Sequence, residues 1–171
     1  MFSTGEKLTA ALEAKELVKV NADGVNYGLQ FAENVQLSGE SAQEVSVKFK
    51  GGKTTKFTLN DAGYYEAYQH KQTLIDGETK EKVLFKNVFV LCAKHTVESD
   101  KNYPRSFYNL TGEGEGYFAC NGQIVAIKWS RKTVNDSFSY TVADGTPLTL
   151  GVGKSYTAII ADSDSAGVSY K

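Results

Sequence analysis

Apolar residues recur mainly with the two-residue period of β-strands, but one stretch near the N-terminus has the period of a helix. Ser3 precedes Glu6 at the spacing of a capping box, and apolar residues follow at helical intervals through KLTAALEAKELV. Turn-forming residues come next, from Asn21 to Gly24. The pattern predicts an amphipathic helix over residues 4–19 that packs one face on a sheet.

Two alternating runs flank a pair of glycines in the strand-rich part of the chain, which begins at about residue 27. EVSVKF (44–49) and KTTKFTL (53–59) each place apolar residues on one face of a strand. Because Gly51-Gly52 lies between them, we predict a hairpin whose turn has positive φ.

The segment VLFKNVFVLCAKHTV (83–97) is apolar at consecutive positions between Val88 and Ala93. Such a run is typical of a central strand that is covered on both faces. Further strands are predicted in SFSYTV and SYTAII, whereas the tail DSDSAGVSYK has no periodicity and is predicted to be frayed. We therefore predict a β-rich α+β fold, with the N-terminal helix packed on a mostly antiparallel, twisted sheet or partial barrel.

The glycine-rich stretch TGEGEGYFACNGQIVAIKW (111–129) is the part of the chain that most resembles a functional motif. A phosphate-binding glycine loop follows a strand and opens a helix. Here glutamates stand between the glycines and would repel phosphate, while Asn121-Gly122 separates two strand-like runs. Asn-Gly in that setting predicts a two-residue hairpin turn.

Counting outward from this turn predicts the register of the hairpin. Gly114 then lies opposite Trp129, and Gly116 lies opposite Ile127. We expect both glycines to make room for these large side chains, a known device for stabilising paired strands.

Length and composition exclude several classes of protein. The 171 residues fit a single domain, 1–171, and 19 basic against 20 acidic residues give a formal net charge of -1. Such a balance offers no electrostatic reason to bind nucleic acid or an anionic membrane. The chain also has no run of 18 apolar residues and no signal-like N-terminal segment, so we expect any export signal to have been removed.

Histidines and cysteines are few and scattered. His70, His95, Cys92 and Cys120 lack the spacing of a metal site, and neither histidine has a partner that suggests a catalytic triad. We therefore predict no metal, no cofactor and no catalytic residue. The two cysteines either form one disulfide or are two buried thiols.

The stretch from Gly63 to Lys71, GYYEAYQHK, contains most of the candidate binding residues. Tyr64, Tyr65, Tyr68 and His70 place aromatic and polar groups close together, and such a surface can stack on a sugar ring or a peptide. The alternative is that these tyrosines simply pack around the core. Asp76 is a further candidate for ligand binding, although Asp-Gly is also typical of a turn.

Short motifs spread over nearly the whole chain resemble the C-terminal region of the YerB-like lipoproteins, a family without an established activity. The residues that carry the resemblance are Tyr68-x-His70, Leu74-Ile75-Asp76, Phe85-Lys86-Asn87-Val88-Phe89-Val90, Gly112, Gly114, Gly116, Gly122, Trp129 and Gly153-Lys154-Ser155-Tyr156. Three positions depart from the family pattern. His70, Leu74 and Tyr156 stand where the family has Arg, His and Trp.

The resemblance implies an extracellular domain of a bacterial lipoprotein, held at the cell membrane only through a lipid anchor outside residues 1–171. It also implies that the family's N-terminal domain is missing from this chain. We expect a non-catalytic binding or scaffolding module of the cell envelope, whose partner is a cell-wall polymer, a peptide or a protein. The alternative is a hydrolase that acts on cell-envelope polymers.

Overall fold

The computed structural model describes residues 3–17, 27–99 and 105–171 and consists largely of β-strands. It contains a helix α1 (Gly5–Ala14), a 3₁₀-helix η1 (Asp162–Gly167) and the strands β1 (Gln30–Ala32), β2 (Glu40–Ser41), β3 (Glu44–Lys48), β4 (Thr54–Leu59), β5 (Tyr65–Gln69), β6 (Gln72–Thr73), β7 (Leu84–Phe85), β8 (Asn87–Glu98), β9 (Arg105–Asn109), β10 (Gly112–Cys120), β11 (Gln123–Arg131), β12 (Ser139–Val142), β13 (Thr149–Gly151), β14 (Ser155–Ala161) and β15 (Val168–Tyr170). Most pairings are antiparallel, and the predicted β-rich α+β class is confirmed.

The central sheet has the strand order β12-β11-β10-β8-β14 and is curled into a half-barrel. Strand β8 lies inside this sheet, antiparallel to β10 on one side and parallel to β14 on the other. Every residue from Val88 to Ala93 is buried, which confirms the predicted central strand. Even-numbered side chains of this segment point to one core and odd-numbered ones to another, because successive side chains of a strand point to opposite faces.

A second sheet, with the order β15-β3-β4-β5-β6, packs on the face of the central sheet that carries Val88, Val90 and Cys92. The hairpin of β3 and β4 is as predicted, and Gly51 and Gly52 both have positive φ. Val45, Val47 and Phe57 pack there with residues of β8 and β14. Burying side chains of this size stabilises the fold by about 1.5–3 kcal/mol each.

The C-terminal tail corrects the prediction of a frayed end. Residues Asp162–Gly167 form η1, and β15 then pairs with β3 in antiparallel register. Lys171 and Glu44 exchange two backbone hydrogen bonds of 3.1 Å. The tail has too few apolar residues to show a period, but strand β3 offers it an unpaired edge.

The N-terminal helix forms, but it is shorter than predicted and does not pack as expected. Thr4, and not Ser3, caps it through a hydrogen bond from the backbone N–H of Lys7 to the Thr4 Oγ1 (3.4 Å). No residue of α1 is buried, and Leu8 is 58% exposed. Local capping therefore produces the helix without a tertiary contact that buries its apolar face.

The predicted end of the helix at residue 19 and the turn from 21 to 24 lie outside the described residues. Among the helices that the structure describes, none has the length and apolar character needed to cross a membrane.

The two cysteines are separate buried thiols. Cys92 belongs to the core between the two sheets, whereas Cys120 belongs to the core on the opposite face of the central sheet. Cys120 lies opposite Asn87 on β8, five positions from Cys92, or about 17 Å along the strand. A disulfide needs Cα atoms within roughly 7 Å, so the structure decides between the two alternatives.

Candidate functional site

The hairpin of β10 and β11 has the register that the Asn121-Gly122 turn predicts. Cα pairing runs without interruption from Cys120 and Gln123 at the turn to Gly112 and Arg131 at the far end. Both turn residues have positive φ, as a type I′ turn requires. The prediction of a hairpin, and not of a phosphate loop, is confirmed.

Gly114 makes room for Trp129, as expected. A Cβ on Gly114 would lie 2.6 Å from two atoms of the indole, which is itself buried. The indole crosses β10 here, and its Nε1–H donates a hydrogen bond of 3.1 Å to the carbonyl oxygen of Cys92 on β8. The glycine therefore allows a side chain of β11 to bond to the backbone two strands away.

Gly116 has a different reason to be glycine from the one predicted. A Cβ on this residue would lie 2.3 Å from the carbonyl oxygen of Val90, on the neighbouring strand β8. The three atoms nearest to such a Cβ all belong to the backbone of β8, so the glycine first of all makes room for that strand. Only a residue without a side chain allows the two strands to approach this closely.

The pairing of β10 with β8 ends at Gly116 and Leu91, and a groove opens beyond this point. We call it the concave groove. It has a volume of about 710 Å³, within the range of small-molecule sites. Its charged and sulfur-bearing lining residues are Cys92, Lys94, Glu113, Glu115, Lys128 and Asp162.

The glutamates of the groove come from the glycine-rich stretch. Because side chains alternate along β10, Glu113 and Glu115 share one face, and the glycines occupy the other. Glu115 lies opposite Lys128 on β11. Asp162, at the start of η1, and Lys94, on β8, complete a lining of three carboxylates and two ammonium groups.

Cys92 lies in the groove but is not poised as a nucleophile. Burial, and then the carboxylates of Glu115 and Asp162, raise the pKa of its thiol above the ordinary value. A thiol with a raised pKa is protonated at neutral pH, and the thiolate is the reactive form.

Tyr65, predicted as a binding residue, is a core residue in the structure. Its side chain is fully buried, and its hydroxyl donates a hydrogen bond of 3.0 Å to the carbonyl oxygen of Ala42. Burial raises the pKa of Tyr65 to about 12. A ligand on the surface cannot reach this residue, so here the alternative of a tyrosine packed in the core is the correct one.

Tyr64 and Tyr68 have different surroundings. Tyr64 is half-buried, and the ammonium of Lys86 lies 4.8 Å from the centre of its ring, in a cation–π contact. Tyr68 is 46% exposed on the outer face of the second sheet, between Lys56 and Thr73 of the adjacent strands.

His70 and Asp76 lie in two separate turns. His70 is exposed in the turn between β5 and β6. Asp76 accepts hydrogen bonds from the backbone N–H groups of Thr79 (2.8 Å) and Glu78 (2.9 Å), and these bonds lower the pKa of its carboxyl group. The geometry of Asp76 is that of a turn residue.

None of the five predicted binding residues lines the concave groove. The residues that line the groove were not identified from the sequence, because the glutamates of the glycine-rich stretch were interpreted only as charges that would repel phosphate. Their alternation with glycine was the available signal. In the part of the chain that the structure describes, no three His, Cys, Asp or Glu side chains are grouped so that they could hold a metal ion.

Comparisons with known proteins agree on one family. Residues 45–157 match the sequence model of the family "Protein of unknown function (DUF3048) C-terminal domain". The fold is similar to that in the crystal structure of YerB protein from Bacillus subtilis, with a TM-score of 0.73 and 22% sequence identity. The similarity covers 97% of this chain and 53% of that chain, so this chain spans about half the length of YerB. Among curated proteins, none matches the chain in sequence.

Proposed function

From the premise that the chain belongs to the DUF3048 C-terminal domain family, whose function is unknown, we propose that it is a non-catalytic binding module of the bacterial cell envelope. Its ligand is a cell-wall polymer or a peptide, and it binds in the concave groove. The module acts outside the cell and is held at the membrane by a lipid anchor elsewhere in the full protein.

The observation that carries this proposal is the groove itself. It is large enough for several sugar or amino-acid units, and it lies where β8 and β10 separate. The Cα pairing of β10 with β8 reaches only as far as Gly116, so residues 112–115 of β10 have no paired residue on β8. The charges of both signs in the lining suit a ligand that carries carboxylate and amine groups.

The chemistry of the lining supports binding over catalysis. No histidine lines the groove among the residues that the structure describes, and the thiol of Cys92 is protonated. His70 and Asp76, the participants considered for a hydrolase, lie in exposed turns away from it. A nucleophile with an adjacent base is therefore not assembled there.

The test fills the groove without touching the core. Ala126 is exposed, lines the groove and lies opposite Tyr117, so Ala126→Trp places an indole inside it. Ala62→Trp makes the same exchange at an exposed turn outside the groove. The probes are soluble peptidoglycan fragments and, separately, their free stem peptides, measured by isothermal titration calorimetry.

We expect at least one probe to bind to the wild-type protein. Ala126→Trp should lower the affinity for this probe by about tenfold or more, and Ala62→Trp should leave the affinity unchanged. Equal affinities of the two variants would exclude the groove as the site. If no probe bound the wild-type protein, the proposal of a cell-wall ligand would be refuted.

The hydrolase alternative is favoured by one observation, the carboxylates that face the groove from β10 and η1. Paired carboxylates serve as general acid and base in glycoside hydrolysis. Mass spectrometry of the same fragments after incubation separates the two functions. A binding module leaves them intact, whereas a hydrolase releases products that Glu115→Gln would abolish.

A further inference from the structure

Two chain reversals meet at one end of the second sheet. The loop from Phe49 to Lys53 joins β3 to β4, and the turn of His70 and Lys71 joins β5 to β6. Because β4 and β5 are antiparallel neighbours, the start of β4 and the end of β5 lie side by side. The two reversals thus border the same region of the surface.

A pocket of about 340 Å³ lies between these reversals, and we call it the turn-end pocket. It shares no lining residue with the concave groove. Two partly buried aromatic residues, Phe49 and Tyr156, form its apolar wall. The Tyr156 ring makes edge-to-face contacts with the rings of Phe57 and Phe85, whose centroids lie 4.8 Å and 5.3 Å from its own. This wall of the pocket is therefore anchored in the core.

The polar lining of the turn-end pocket consists mainly of hydrogen-bond donors. Lys53 and Lys71 contribute ammonium groups and His70 an imidazole, and no carboxylate lines the pocket among the described residues. Thr55 donates its hydroxyl hydrogen to the Gln69 Oε1 at 3.4 Å, which leaves the amide N–H₂ of Gln69 free to donate. Neither lysine takes part in an ion pair within the described part of the chain.

The backbone of the His70-Lys71 turn is strained. Both residues have positive φ, 52° and 65°, in a two-residue turn closed by Gln69 and Gln72. Such turns favour Asn-Gly, which this chain uses at Asn121-Gly122. Histidine is also enriched at positive φ, but lysine is not, so turn chemistry does not explain the choice of Lys71. Strain of this kind is found at functional sites.

We propose that the turn-end pocket binds the phosphate group of a phosphorylated sugar or polyol. The two ammonium groups, the imidazole and the Gln69 amide surround the phosphate oxygens, since lysine serves as a point charge for phosphate. The sugar or polyol lies against the rings of Phe49 and Tyr156. This site is independent of the proposed ligand of the concave groove.

The experiment measures the affinity of the full chain for glucose 6-phosphate and for a glycerol phosphate oligomer by titration calorimetry. Inorganic phosphate and unphosphorylated glucose are the matched probes. Lys53→Gln combined with Lys71→Gln removes two charges from the pocket. Lys132→Gln combined with Lys154→Gln removes two charges at exposed positions that do not line it.

We expect both phosphorylated probes to bind about tenfold or more tightly than inorganic phosphate, and the pocket double variant to weaken them by a similar factor. The control pair is expected to change affinity less than about twofold. Equal losses in the two pairs would show attraction by net charge alone and would overturn the site. Equal binding of inorganic phosphate would overturn its assignment to a sugar or polyol phosphate, and no binding would overturn both.

A second variant separates binding from folding. His70→Asn combined with Lys71→Gly relieves the strained turn, so its melting temperature is expected to rise while binding of glucose 6-phosphate is lost. A turn variant that bound as well as the wild type would contradict the role of these two side chains. Vesicles of phosphatidylglycerol form the last arm, and retention by vesicles without binding of either phosphorylated probe would refute the proposal in favour of a lipid surface.

Discussion

Replacing Gly114 with alanine tests whether the crossing of the indole over β10 holds β8 and β11 together. The new Cβ would lie 2.6 Å from the indole of Trp129, which is too close for the ring to stay in place. Overpacking of a core costs about 1–3 kcal/mol. Loss of the hydrogen bond from the indole N–H to the carbonyl of Cys92 leaves buried polar groups unpaired, at about 1–3 kcal/mol more. We expect a total loss of about 2–6 kcal/mol in the free energy of unfolding.

The measurement is equilibrium unfolding in urea, followed by far-UV circular dichroism, since Trp129 is the single tryptophan of the chain and its fluorescence is lost in one of the backgrounds. Gly77→Ala is the matched control, since a Cβ there meets nothing within 4 Å, and it should change stability by less than about 0.5 kcal/mol. In a Trp129→Leu background the cost of Gly114→Ala should fall below about 1 kcal/mol, because the ring is gone.

Two results would refute the reasoning. The first is a Gly114→Ala cost no larger than that of Gly77→Ala. The second is the same cost with and without the indole, which would mean that the alanine acts on the backbone and not on Trp129.

Three further predictions concern buried groups. Asn87 is fully buried, and its amide donates one hydrogen bond to the backbone of Gly151 and accepts one from it, at 2.8 Å each. Asn87→Ala should therefore lower the free energy of unfolding in urea by about 2–4 kcal/mol. A decrease below about 1 kcal/mol would contradict this prediction. Because burial raises the pKa of Tyr65 to about 12, the folded state holds this proton more tightly than the unfolded state, whose pKa is near 10. The stability that protonated Tyr65 contributes is therefore complete below about pH 10 and is lost as the pH rises toward 12. Tyr65→Phe should make the free energy of unfolding fall less steeply with pH in this window. An unchanged slope would contradict the raised pKa of Tyr65. Cys92 and Cys120 should both resist a thiol reagent in the folded protein, and both should react with it in denaturant without prior reduction. If they failed to react in denaturant, they would form the disulfide that the fold excludes.

Local chemistry accounts for the elements that could be predicted. Asn121-Gly122 needs only its own turn geometry to determine the register of β10 and β11, and Gly51-Gly52 marks where the chain reverses between β3 and β4. The run from Val88 to Ala93 identifies a central strand, because apolar residues at consecutive positions must be covered on both faces.

Predictions failed where the partner lies far away in sequence. The tail from Asp162 to Lys171 looks frayed by itself, but the edge of β3 pairs with it. Tyr65 and Tyr68 look alike in the sequence, and only the second sheet places one in the core and the other on the surface. The prediction of a single domain over residues 1–171 stays a prediction.

By itself, then, the sequence determined that this chain is β-rich, where its hairpins turn, and which family it resembles, since these depend on residue periodicity, turn propensity and short motifs. Only the tertiary structure decided that β8 and β10 separate beyond Gly116, that Glu113, Glu115 and Asp162 face one groove, and that two turns enclose a pocket of basic residues. The physical reason is that a site is made by side chains from strands distant in sequence. Their meeting depends on which strands pair and how the sheet curls, which no local pattern records.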